Sequence, residues 1–109
     1  MIIDKEKIKQ VIECDDDFLN DLLENFVLES KTSLEYINEA LIHKNYQAIK
    51  GSSHKLLSST RIFEMNKLTE LLKTIEIASM DNEKLDSLND LIKELNLQMN
   101  KAFDEISTS

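Results

Sequence analysis

Apolar side chains return every three to four residues along four long stretches of this chain, the period at which an α-helix buries one face. In the first stretch Phe18, Leu22, Phe26, Leu34, Ile37 and Leu41 recur between the cluster Cys14-Asp15-Asp16-Asp17 and the pair His43-Lys44. The aspartates offer N-cap oxygens and first-turn negative charge, and the basic pair suits a helix C-terminus. Asn45 is the expected break. A second stretch runs from about Tyr46 to Ile62, and a third carries Met65, Leu68, Leu72, Ile75 and Ser79 before closing at Met80-Asp81-Asn82. The fourth places Leu85, Leu88, Ile92, Leu95, Met99, Phe103 and Ile106 on one face. Ahead of them, a short segment from about Lys5 to Glu13 sets Ile8, Val11 and Ile12 on one side, too little surface to be stable without a larger neighbour. No proline interrupts any of this and only one glycine does. The expected fold class is all-α: an antiparallel four-helix bundle with a short additional N-terminal helix, built as one domain over residues 1–109.

Charge and cysteine content narrow the function. A net charge of −8 disfavours nucleic acid and anionic membranes, which are held by Lys and Arg. No apolar run approaches the roughly 18 residues of a membrane span, and the opening Met1-Ile2-Ile3-Asp4-Lys5-Glu6 lacks the layout of a secretion signal. A cytoplasmic location is expected. Cys14 has no second cysteine to pair with, and one Cys with two distant His cannot build a structural zinc site. The aspartates at 15–17 are read as a cap, since a metal loop would interleave oxygen ligands with a glycine turn. No metal site is expected.

The helix over 46–62 differs from the others, because Gly51, Ser52, Ser53, Ser58, Ser59 and Thr60 crowd its middle at a cost in helix propensity. At about 100° per residue, Ile49, Ser53, Leu56, Thr60 and Phe63 share one face, and His54 falls roughly 140° from the middle of it. His54 is therefore expected to face solvent. Its helical neighbours are Lys50, Ser58 and Arg61, with Gly51 and Leu57 at its shoulders. A histidine between two cations, on a surface kept low by Gly and Ser, is open to the approach of a partner. His43 is read as a helix-end residue.

The stretch His54-Lys55-Leu56-Leu57-Ser58-Ser59-Thr60 resembles the acceptor helix of histidine-containing phosphotransfer (HPt) domains, which typically reads His-x-Leu-Lys-Gly-Ser-Ser. The resemblance extends over nearly the whole chain. Phe18-Leu19, Leu22-Leu23 and Phe26 look like the family's helix before the acceptor, and Leu68, Leu71-Leu72 and Glu76 like the helix after it. Two positions depart: Leu57 stands where Lys is usual, and Ser58 where Gly is usual. The form is similar to a variant found at the ends of hybrid sensor kinases, in which Arg61 or Lys50 would take over the charge-balancing role of the absent Lys.

The resemblance implies that His54 is the phosphoacceptor, at Nε2, although the sequence does not separate the two ring nitrogens. Neutral imidazole, with an unperturbed pKa of about 6.5, already offers a lone pair near pH 7 and needs no activating base. Transfer of a phosphoryl group is then mainly a matter of alignment and charge stabilisation, and Lys50, Arg61 and Ser58 are the candidates to supply the latter. Gly51, Leu57, Phe18 and Leu19 are the candidates for partner docking. The implied partners are response-regulator receiver domains and a hybrid sensor histidine kinase, with Mg²⁺ supplied by the partner receiver and no cofactor held by the chain itself. No phosphate-binding Gly-rich loop is present, so the expectation is a phosphoryl carrier and not an enzyme. A monomer is expected, because the bundle closes on itself and the acceptor face must stay free. The competing reading is a non-phosphorylated HPt-like scaffold or inhibitor that binds a receiver or kinase. A coiled-coil subunit would instead continue its apolar stripe through the gap at 51–53.

Overall fold

A computed structural model describes residues 2–108 of the chain. Five α-helices follow one another: α1 (Lys5–Ile12), α2 (Asp16–Ile42), α3 (Tyr46–Ile62), α4 (Asn66–Met80) and α5 (Leu88–Ser107), with a 3₁₀ segment, Asn82–Ser87, leading into the last. Each of the first three begins on a side-chain oxygen cap, expected from the sequence only for α2. Asp4 accepts from the Lys7 amide, Asp15 from that of Phe18 at 2.8 Å, and Asn45 from that of Ala48. The ends of α2 and α3 use left-handed residues, Lys44 (φ 56°) and Glu64 (φ 55°), in a chain too poor in glycine to do otherwise. Both turns are Schellman motifs: Asn45 N–H reaches the Ala40 carbonyl and Met65 N–H that of Thr60.

The two three-residue links at 43–45 and 63–65 send each helix back along the previous one. Cross-helix contacts set the direction of the rest. Asn38 and Asn96 exchange side-chain hydrogen bonds between α2 and α5, while Lys31, earlier in α2, lies over the ring of Phe103, later in α5. Rising numbers on one helix meet falling numbers on the other, so α2 and α5 are antiparallel. In the bundle α2 packs on α3 and α5, and α4 on α3 and α5, which leaves α3 and α5 diagonal. The short helix α1 rests on α2, and Lys7 reaches Glu64 in the α3–α4 turn at 3.1 Å. The main-chain amides of Ile2 and Ile3 donate to the Glu105 carboxylate on α5. Among the described residues no helix is long and apolar enough to cross a membrane.

The buried face of α2 differs from the expected one. Leu19, Leu23, Phe26, Ser30, Ser33, Leu34, Ile37 and Ala40 are buried, whereas Phe18 is 53% exposed and Leu22 and Leu41 only half-buried. The core position at two successive turns is taken by Ser30 and Ser33, and a reading that counts apolar residues passes over serine. Val11, expected beside Ile8 on α1, is likewise exposed. The face predicted for α3 is buried in full, as are Leu68, Leu72, Ile75 and Ser79 on α4 and Met65 just before it. Most of the α5 stripe is buried too, although Leu85 belongs to the 3₁₀ segment.

Small polar residues let α3 and α4, the most extensively packed pair, approach closely. Thr60 and Thr69 share a buried hydroxyl bond of 2.9 Å, one donating to the other, and the accepting hydroxyl keeps its own proton for a main-chain carbonyl, that of Leu57 for Thr60 or of Met65 for Thr69. Ser53 has no such arrangement: its Oγ is buried with no hydrogen-bond partner among the described residues. An unsatisfied buried hydroxyl costs about 1–3 kcal/mol, and alanine has the better helix propensity. Ser53→Ala is therefore expected to raise stability by about 1–2 kcal/mol, read as a higher midpoint in urea with an unchanged slope.

Candidate functional site

His54 sits near the middle of α3 on its outward side, where the side chain is 66% exposed. Its Nδ1 lies 3.1 Å from Oε1 of Glu76 on α4, a carboxylate only 20% exposed. The antiparallel register of α3 against α4 brings the two level although they are 22 residues apart in the chain. A carboxylate can only accept here, so Nδ1 carries the proton, and in the neutral ring the lone pair is on Nε2. Nε2 makes no hydrogen bond among the described residues. The ring is thus held by its inner nitrogen and presents its nucleophilic one outward.

Gln47, Lys50, Gly51, His54 and Glu76 line a shallow groove of about 380 Å³ beside the ring. Lys50 is half-buried there, and forms no ion pair among the described residues. Gly51 lies at the opening, and a Cβ built on it would meet nothing within 4 Å. Ser58, one turn after His54, turns its hydroxyl back to the His54 carbonyl at 3.5 Å. Arg61 is exposed and without an ion pair among the described residues, but lies seven residues further on, about 10 Å along the axis, and does not line the groove. Among the described residues no group of His, Cys, Asp or Glu is placed to hold a metal ion.

Three of the expected docking residues need correction. Leu19 and Leu57 are each only 3% exposed and belong to the core. Leu57 follows His54 by three residues, which turns it back toward the buried side, and the close α3–α4 packing encloses it. Leu19, and not its neighbour Phe18, occupies the inward phase of α2. Phe18 is exposed but remote from the ring. Phe26 meets Phe63 edge-on, with centroids 5.3 Å apart, so residue 26 is level with the end of α3. His54 lies about 14 Å to one side of that level and Phe18 about 12 Å to the other, some 25 Å in all. Phe18 is therefore peripheral to any surface centred on the histidine. The large exposed apolar side chains of α3 and α4 are instead Ile62, Ile77 and Met80, none of which sequence reasoning assigned to docking.

The model of the Hpt domain family matches residues 21–106. The chain belongs to that family. Comparison with curated proteins and with solved structures returned no match. Membership gives the domain a phosphotransfer role in phosphorelay signalling. Glu76 entered the sequence reading only as part of the family's pattern, and its pairing with His54 is the feature that reading missed. The signal available was the position itself, the one acid in the inward half of the α4 stripe.

That pairing ties the orientation of the His54 ring to Glu76. Glu76→Ala is expected to slow phosphoryl acceptance about tenfold, since the ring would lose its fixed tautomer and orientation. Glu76→Gln keeps an acceptor oxygen and should restore most of the rate. Nitrogen chemical shifts of the imidazole would report the tautomer directly: a proton held on Nδ1 in wild type and the Gln variant, mixed in the Ala variant.

Proposed function

We propose that His54 accepts a phosphoryl group from the aspartyl phosphate of one receiver domain and delivers it to the aspartate of another. Nε2 attacks phosphorus and forms the N–P bond while the P–O bond to the aspartyl oxygen breaks, its electron pair leaving with the receiver's carboxylate. The Nδ1 proton stays in its hydrogen bond to Glu76, whose negative charge faces the positive charge that the ring acquires. Reversal of the same step empties the histidine. In this reading the partner receiver brings the Mg²⁺ that shields the phosphoryl oxygens, and a hybrid sensor histidine kinase is the upstream source. The observation that carries it is the division of labour in the ring, with Nδ1 engaged by a recessed carboxylate and Nε2 free in solvent.

Lys50, which lines the groove with His54 and forms no ion pair among the described residues, takes the larger share of charge stabilisation. Arg61, two turns away, meets the partner's edge more readily than the phosphoryl group. Ser58 contributes clearance, its hydroxyl being turned inward. The domain is a carrier: both bond-making partners of each step lie outside it except for one nitrogen.

The test is incubation with a panel of phosphorylated, Mg²⁺-loaded receivers, followed by phosphorus and nitrogen NMR of the recovered protein. The reading requires an acid-labile phosphoryl group on Nε2 of His54. Tight receiver binding with no label would instead identify a docking scaffold.

A further inference from the structure

A groove of about 690 Å³ runs between α2 and α5, in the half of the bundle that holds the start of α2 and the end of α5. Its floor and walls are apolar: Leu23 and Phe103 are buried, Val27 and Ile106 half-buried, and Leu28 stands two-thirds exposed beside them. Its rims are acidic, with Glu24 on α2 and Asp104 on α5, and Asp17, Asp21 and Glu35 continue the α2 rim to either side. None of these carboxylates forms an ion pair among the described residues. The one cation in the lining, Lys31, is drawn onto the Phe103 ring at 5.6 Å. Helix α2 as a whole carries seven Asp and Glu against that single lysine. The α2–α5 edge lies across the bundle from the α3–α4 edge, where His54 and Glu76 meet.

We propose that this groove is a docking site for a basic amphipathic helix of a partner protein. The α2 residues that line it, from Asn20 to Lys31, span three turns and about 16 Å, the length over which a docked helix presents its apolar anchors. Val27 and Leu28 leave apolar surface in water that such anchors would cover, and unneutralised carboxylates on both rims favour lysines or arginines on the flanks of the incoming helix. The same charge disfavours other occupants. A second copy of this chain would set acid rim against acid rim, and an anionic lipid surface would meet the same repulsion. The site is independent of the relay reading. A helix seated there leaves the His54 ring open, so that one partner holds the domain while another exchanges the phosphoryl group.

The probe is a synthetic helical peptide of about 14 residues, with leucines along one face and lysines on both flanks, titrated into the intact, isotope-labelled protein and followed by NMR. Amide shifts are expected along 20–31 and 103–107 and not on α3. Replacing the peptide's lysines with glutamates should weaken binding at least about tenfold. Glu24→Lys and Asp104→Lys should each weaken it about fivefold at low salt. Leu28→Ser should weaken it to a similar degree, with little dependence on salt. Glu29→Lys makes the same charge change about 140° around α2, away from the groove and at an exposed position, and should alter affinity less than about twofold. Equal effects of Glu29→Lys and Glu24→Lys, equal binding of the acidic peptide, or shifts centred on α3 would each overturn the basic-helix proposal. A dimer of the unliganded protein that Leu28→Ser dissociates in sedimentation would assign the groove to a second copy and overturn it too.

Discussion

His54→Gln is expected to abolish phosphoryl acceptance from every receiver that labels the wild-type protein, while the unfolding free energy stays within about 0.5 kcal/mol of the parent. The two halves of this expectation have separate causes. Acceptance fails because an amide nitrogen has no available lone pair, and because the chain's other imidazole cannot substitute. His43 sits in the turn after α2, about 12 Å along the bundle from the acceptor, with its own Nε2 engaged by Glu39 at 3.0 Å. Stability is spared because the His54 side chain is two-thirds exposed and makes one hydrogen bond, to a carboxylate that water can reach. Equilibrium urea unfolding and the label assay on the same preparation check both halves. Residual label above a few per cent in the variant would place the acceptor elsewhere.

Substitutions at Gly51 should separate stability from transfer in opposite directions. Glycine inside a helix costs about 1 kcal/mol relative to alanine, and here the fold derives no benefit from it: the backbone is not left-handed and a Cβ would stand in open space. Gly51→Ala should therefore stabilise the bundle by about 1 kcal/mol, raising the melting temperature by roughly 4–8 °C, with transfer nearly unchanged. Gly51→Trp should fold as well as the parent yet lose at least about a hundredfold in transfer. An indole one turn from the ring would hold a receiver away from the roughly 3 Å approach that in-line transfer needs. Transfer at the wild-type rate in the Trp variant would show that partners reach His54 from another side.

Much of the bundle was legible because period, caps and links all pointed to the same elements. The limits of α3, the aspartate cap of α2, the break at Asn45 and the outward direction of His54 follow from local rules that hold whatever the rest of the chain does. The misread positions are those where one residue of phase decides the outcome. On α2 the choice between Phe18 and Leu19 depends on which partners press against the helix, and Ser30 and Ser33 are core only because neighbouring helices cover them. Leu57, at the edge of its stripe, was enclosed by the closeness of α4. Small residues permit a close approach, but which neighbouring helix makes it is decided only when the bundle closes.

The sequence alone determined that this chain would be helical, where α2 and α3 begin and end, and that one helix would expose a histidine beside a glycine, because all of these are consequences of 3.6-residue geometry and of backbone capping within a few positions. Only the tertiary structure decided how that histidine is held. Its tautomer is set by Glu76, a residue on another helix brought level by the antiparallel register of α3 and α4, and a hydrogen bond between groups 22 residues apart exists only once the bundle has closed.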